Sequence, residues 1–254
     1  MIKIDGQTKI IGFLGSTYKM SKMYSLYNAA FKALNLNYVY IPLVVLDLKK
    51  AVDGIRSLGI HAAGVTIPFK IDIIKYLDDL DDNARRIGAV NAVINNKGIL
   101  TGFNTDGVGA VKALQEKNIK LKNQKTVILG DGGASKSIVV AVTNEGSKVI
   151  VLNRQNLKKL NKEIKDTAII INTTPAGMFP DVDKSLVSTD LLFSKLTVMD
   201  IITNPRETKL QKDAKRVGCK IIYGERMLLW QAVTKFKLFT GSDAPIKVME
   251  KTLC

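Results

Sequence analysis

The chain has 254 residues, 46% hydrophobic and 24% charged, ordinary for a soluble globular protein and long enough for one large or two modest domains. The formal charge is +15, yet 31 of the 38 basic residues are lysines spread along the chain without a basic run or aromatic interleaving, so a Lys-rich surface is expected and no nucleic-acid partner. Two cysteines, Cys219 and Cys254, and one histidine, His61 in an apolar stretch, speak against a disulfide framework, a metal site and a Ser-His-Asp hydrolase.

No segment has a signal-peptide layout and no apolar run is long enough to span a membrane, so a cytoplasmic protein without a membrane partner is expected. Residues 9–15 read as a first strand ending in glycine. Residues 21–34 carry a helical pattern through Leu26, Ala29, Ala30, Phe31 and Leu34. Residues 37–41 read as a strand closed by Pro42, and 47–58 as a helix with Leu48, Ala51, Val52 and Ile55 on one face. A strand at 64–67 is stopped by Pro68. A helix at 70–77 and an acidic turn at 78–82 follow. A strand at 88–94 turns through 95–98, and residues 100–104 pair back. Alternating strands and helices make this an α/β domain of its own.

A helix at 107–116 leads to the most informative stretch, residues 125–154. The apolar run 126–129 has the composition of a buried parallel strand. Gly130-Asp131-Gly132-Gly133-Ala134-Ser135 follows at once, then a helix over 137–143 and a second apolar strand over 149–152. This is the size and order of a dinucleotide-binding βαβ unit. Gly130 permits the tight turn, Gly132 admits a pyrophosphate to the backbone, and the helix N-terminus faces that anion. The third fingerprint position is Ser135 instead of Gly or Ala. The second strand ends in Asn153-Arg154, with Lys158 close behind. An NAD site places a carboxylate at this strand end, and none is present, whereas Arg154 and Lys158 suit a 2′-phosphate. The pattern favours NADP.

Further strands are expected at 168–171, 198–201 and 220–223, and helices at 226–239 and 246–253. The predicted architecture has two α/β lobes with a cleft between them. Residues 1–106 form a substrate-binding and catalytic domain, to which helices at about 232–254 return. Residues 107–231 form a Rossmann-type, doubly wound dinucleotide-binding domain. A dehydrogenase must set a proton donor beside the reacting carbonyl. Without a usable histidine the candidates are Lys, Asp, Tyr or Cys. Lys70, in GVTIPFK, and Asp106, in GFNTDG, follow predicted strand ends of the first lobe, where open α/β sheets place their sites.

The segments GVTIPFK, IGAVNAV, GFNTDGVG, LGDGGASKS, INTTPAGM, DIITNP and GERMLLWQA, with GFLGSTYKMSKMYSLYNAAF before them, resemble the shikimate dehydrogenase family over nearly the whole chain and in order. The resemblance implies NADPH-dependent reduction of 3-dehydroshikimate to shikimate in aromatic amino-acid biosynthesis. It puts the family's Lys-Asp pair on Lys70 and Asp106. Substrate-binding positions fall on Ser21, Thr66, Asn91, Asp106, Thr203 and Gln231. The cofactor loop falls on Gly130, Asp131, Gly132, Gly133 and Ala134, the 2′-phosphate clamp on Asn153, Arg154 and Lys158, and the positions flanking the nicotinamide on Ile201 and Gly224. The expected partner is a small-molecule substrate, and the expected assembly a monomer or homodimer.

Two departures bear on the substrate. The family's Ser-x-Ser-Pro reads Ser21-Lys22-Met23-Tyr24, and its Tyr before Asn-Pro is Thr203. Quinate or another cyclic hydroxy acid therefore stays open as the substrate, as does a shikimate carboxylate held partly by Lys22, Tyr24 or Tyr27. A non-catalytic metabolite-binding module is the alternative outside enzymology, and the presence of both Lys70 and Asp106 argues against it.

Overall fold

The structure, a computed structural model, describes residues 4–16 and 21–253. Residues 1–3, 17–20 and Cys254 lie outside the described residues. The chain divides into two compact units, residues 1–105 with 232–254, and residues 106–231.

The first unit is built from β1 (Lys9–Gly15), α1 (Lys22–Ala33), β2 (Tyr38–Val44), α2 (Leu48–Ser57), β3 (Ala62–Val65), β4 (Asp79–Leu80), α3 (Asp82–Ile87), β5 (Ala92–Asn96) and β6 (Ile99–Phe103). α1 begins where Ser21 accepts a hydrogen bond from the Met23 amide, 3.3 Å, and it buries Met23, Leu26, Tyr27, Ala30 and Phe31 at helical spacing. Asp47 caps α2 through the Lys50 amide, and Val52 and Ile55 are its buried face. The sheet runs β2-β1-β3-β5-β6-β4, parallel at β1–β2, β1–β3 and β4–β6 and antiparallel on both sides of β5.

Four expectations need correction here. β2 does not stop at Pro42 but runs on to Val44. It is an edge strand, where a missing N–H is tolerated. The expected helix at 70–77 is a 3₁₀ turn over Asp72–Tyr76, a tighter coil usual in short connectors. The acidic run at 78–82 is not a plain turn. It holds β4, and Asp81 accepts from the Ala84 amide, 2.8 Å, to start α3. Gly88, with φ +67°, ends α3, so the following strand starts at Ala92 and not at 88.

One face of this sheet packs Leu14, Val52, Ile55, Val65 and Val93. The other carries stacked aromatics, with the Tyr27 and Tyr40 ring centroids 4.4 Å apart and Phe31, Phe236 and Phe239 around them. His61 Nε2 donates to the Phe239 carbonyl oxygen, 2.7 Å, and its ring meets Tyr38 edge-on. It is a structural residue that ties Phe239 to the start of β3.

The second unit holds α4 (Asp106–Glu116), β7 (Lys125–Leu129), α5 (Gly133–Asn144), β8 (Lys148–Leu152), α6 (Leu160–Glu163), β9 (Ile169–Asn172), β10 (Thr197–Asp200), α7 (Lys209–Arg216) and β11 (Lys220–Ile222). The division between units falls within α8 (Gly224–Thr240), and α9 (Ile246–Lys251) belongs to the first unit. The five strands are all parallel in the order β11-β10-β9-β7-β8. Successive residues serve opposite faces. Ile128, Ile171 and Met199 pack with Ile138 and Val142 on one side, and Val127, Ile170 and Val198 pack with Leu160 and Leu210 on the other. This is a doubly wound sheet. The chain leaves β7 toward β8 and returns past it to β9, so the switch point lies between β7 and β9.

Asp200, fully buried at the end of β10, joins the strand ends. It accepts from Asn172 Nδ2 at 3.1 Å, from Thr208 Oγ1 at 2.8 Å and from the Ile202 amide at 3.1 Å. Thr208 in turn opens α7 in a capping box with Gln211, whose Nε2 donates to the Ile222 carbonyl. Burial pushes the Asp200 carboxyl up from 3.8, opposed by those three hydrogen bonds. The unfolded chain therefore ionises at lower pH than the folded one, so the Asp200 contribution is full below about pH 4 and declines as pH rises through the raised value. Urea titrations at pH 4 and pH 7 should show the wild type losing stability relative to Asp200→Asn at the higher pH. A difference that does not move with pH refutes the assignment.

Candidate functional site

The carboxyl edge of the parallel sheet carries most of the singled-out residues. Gly130 follows β7 with φ +106°, a conformation L side chains rarely adopt. A Cβ there would stand 2.6 Å from Thr173 Oγ1. Its amide donates to the Leu152 carbonyl, 2.8 Å, which anchors the turn to β8. Ser135, the unexpected residue at the third fingerprint position, donates its hydroxyl to the Gly130 carbonyl oxygen, 2.6 Å. The serine closes the turn from inside, and this accounts for the departure from Gly or Ala.

Gly132 is the N-cap of α5 and makes no side-chain cap. Nothing lies within 4 Å of the point where its Cβ would stand. This 12-residue helix starts from the bare backbone of Gly132 and Gly133, with the small Ala134 next, and no side chain caps its first amides. At the end of β8, Asn153 receives the Gln155 amide at its Oδ1, 3.0 Å, and donates from Nδ2 to Asp131 Oδ2, 3.0 Å. Arg154 and Lys158 are exposed beside it and form no ion pair with any described residue. This cradle fits a dinucleotide: helix amides for a pyrophosphate and two cations for a 2′-phosphate.

At the other side of the switch point, Ile201 and Gly224 are brought together. A Cβ on Gly224 would lie 2.4 Å from the Ile202 carbonyl oxygen and 2.7 Å from that of Ile201. Only glycine permits that approach. Thr203 is half-buried two residues beyond Ile201. Asp106 opens α4 and is 3% exposed. The next amide, Gly107, donates to Ser137 Oγ, 2.7 Å, which fixes the start of α4 against α5. Gln231, 8% exposed on α8, backs onto Gly109 of α4, where a Cβ would meet Gln231 Cβ at 2.8 Å.

Ser21, Thr66, Lys70 and Asn91 belong to the first unit. Thr66 follows β3 directly and its amide donates to the Leu14 carbonyl, 3.2 Å. Lys70 is half-buried in the turn ahead of the 3₁₀ segment, and its carbonyl receives the Val90 amide, 2.7 Å. Asn91, almost fully buried, accepts the Thr105 amide at 3.0 Å and donates to Thr105 Oγ1 at 3.1 Å, which fixes the backbone just ahead of Asp106. Of the three groups weighed as substitutes for the second serine, Tyr27 is fully buried and donates to the Ala232 carbonyl, 3.2 Å, and Lys22 Nζ donates to that of Leu253, 2.8 Å. Tyr24 remains half-buried against Phe13 and Tyr40. Met23 is 2% exposed, part of the core face of α1.

Asp200 and its partners Asn172 and Thr208 do not emerge from the sequence as site residues. The available signal was a carboxylate terminating an apolar strand, TVMD, and opening the DIITNP segment.

Two family models match the chain: the shikimate dehydrogenase substrate binding domain over residues 13–93 and the shikimate 5'-dehydrogenase C-terminal domain over residues 224–254. The shikimate dehydrogenase (NADP(+)) of Methanocaldococcus jannaschii is 39% identical over 275 residues, covering 98% of each chain. A crystal structure of a shikimate dehydrogenase in complex with NADP+ superposes with a TM-score of 0.93 at 38% identity, over 99% of this chain and 96% of that one. The Listeria monocytogenes shikimate 5-dehydrogenase, in complex with shikimate and NAD, gives 0.90 at 31% identity over 99% and 98%. With nearly its whole length matched at such identity, and with the glycine turn and its cations in place, the chain belongs to the shikimate dehydrogenase family.

Proposed function

We propose that the protein is an NADP-dependent oxidoreductase that interconverts 3-dehydroshikimate and shikimate in aromatic amino-acid biosynthesis. The observation that carries this reading is the cradle at the carboxyl edge of the parallel sheet, open at Gly132 and flanked by the exposed cations Arg154 and Lys158. The relatives it belongs with are named for shikimate and NADP(+). Among the described residues no helix is long and apolar enough to cross a membrane. We infer a cytoplasmic monomer or homodimer acting on a small molecule.

When bound, the nicotinamide cofactor supplies or accepts the hydride. The chain's residues do the rest. The α5 amides and Gly132 hold the pyrophosphate, Asn153, Arg154 and Lys158 hold the 2′-phosphate, and Ile201 and Gly224 line the nicotinamide. Lys70 gives a proton to the carbonyl oxygen of 3-dehydroshikimate during reduction and takes it from the shikimate hydroxyl during oxidation. Asp106 is its carboxylate partner and accepts from a substrate hydroxyl. Ser21, Thr66, Asn91, Thr203 and Gln231 supply hydroxyls and amides suited to a polyhydroxy acid. Tyr24 is the group that supplements Ser21 toward the substrate carboxylate, because Met23 has no donor and faces the core.

An absorbance assay at the NADPH band, with shikimate and quinate each offered with NADP+ and NAD+, tests the reading. Turnover of shikimate with NADP+ is the expected result, and turnover of quinate alone refutes it. Lys70→Ala should lower kcat by about a hundredfold or more while calorimetry shows NADP+ binding unchanged. Lys70→Arg should not restore it, because a guanidinium keeps its proton near neutral pH. Retention of most of the kcat in Lys70→Ala would remove the lysine from the chemical step. Arg154→Ala should weaken NADP+ by roughly ten- to a hundredfold and leave NAD+ nearly unchanged. Equal losses for both dinucleotides would show that the arginine does not read the 2′-phosphate.

A further inference from the structure

The end of β8 lacks a carboxylate in sequence, but the fold supplies one from elsewhere. Asp131 sits in the glycine turn, two residues ahead of the first residue of α5. Its Oδ2 receives Asn153 Nδ2 at 3.0 Å, so the carboxylate reaches across to the strand end that precedes Arg154. The side chain is exposed. In dinucleotide folds the adenosine ribose lies at this strand end, and an acidic residue there accepts from its hydroxyls.

We propose that Asp131 sets the balance between the two nicotinamide dinucleotides, accepting from the ribose 2′-hydroxyl of NAD(H) and opposing the 2′-phosphate of NADP(H), so that the protein binds both. The inference rests on the dinucleotide-binding reading above and adds which group tempers its specificity. Three physical effects act together. The carboxylate can take a charge-assisted hydrogen bond from a hydroxyl, since one donor leaves most of its lone pairs available. A 2′-phosphate at the same place meets like charge, against which Arg154 and Lys158 must work. The amide of Asn153, one of the groups positioned for that phosphate, is also turned toward Asp131.

The experiment measures dissociation constants of NADP+ and NAD+ by calorimetry for the full chain, wild type, Asp131→Asn and Asp131→Ala. Asparagine keeps an acceptor for Asn153 and removes only the charge. Both substitutions are on an exposed residue, and a thermal melt confirms that each variant is folded. The wild type should bind both dinucleotides. In Asp131→Asn the ratio of the NAD+ constant to the NADP+ constant should rise by about tenfold or more, through tighter NADP+ and weaker NAD+, and Asp131→Ala should move it the same way. A ratio that shifts by less than about threefold in Asp131→Asn, or falls, overturns the proposal while leaving the proposed function intact if shikimate is still oxidised. A wild type that binds neither dinucleotide overturns both.

Discussion

At the carboxyl edge of the parallel sheet the Thr173 hydroxyl donates to the Leu129 carbonyl oxygen at 2.6 Å, and the Thr173 amide donates to that same oxygen at 2.9 Å. This pins the start of the β9 exit against the end of β7. It also puts Thr173 Oγ1 2.6 Å from where a Cβ on Gly130 would stand. The chain can leave β7 only as glycine with positive φ, and that exit angle aims α5 at the strand ends. Gly132 then meets open space, and β8 brings Asn153 alongside the turn at the topological switch point. A side chain at Gly130 would disturb the turn, the helix direction and the relation of β7 to β9 together.

The opposite side of the switch point depends on a second constraint, one of polarity. Asp200 gathers donors from the exits of β9 and β10 and from the start of α7. Burying a carboxylate so completely is costly unless its oxygens are filled. The three donors fill them, and in doing so they fix the backbone on which Ile201 and Thr203 stand. The close approach of Gly224 to the Ile202 carbonyl uses that fixed backbone as its wall. In the first unit the corresponding constraint is packing. Stacked Tyr27, Phe31 and Tyr40 hold α1 on the sheet, which sets Ser21 at the helix start.

The parts of the fold legible in sequence were those whose pattern is local. The βαβ unit at residues 125–154 declares itself because each strand is a short apolar run, buried on both faces, and the turn between is glycine. What escaped was decided by context. Pro42 reads as a stop unless one knows that β2 is an edge strand. Residues 78–82 look like a solvated acidic turn, yet Asp81 is a helix cap. α7, KLQKDAKR, is too polar to show an apolar stripe and is betrayed only by its Thr208–Gln211 capping pair. For the site, the residue types at Lys70, Asp106 and Arg154 could be read off the chain. The reach of Asp131 to Asn153, the commitment of Tyr27 to a backbone carbonyl and the core-facing Met23 are tertiary facts with no local signature.

Ser135 gives the glycine turn a further property. The residue is 1% exposed and its hydroxyl is spent on the Gly130 carbonyl, so the turn is closed from behind without help from a ligand. A glycine at that position would leave the loop to be ordered on each binding event, with its entropy charged against affinity every time. Here the ordering is done once, when the chain folds. The turn is thereby held by the protein's own hydrogen bond, whether or not a ligand is present.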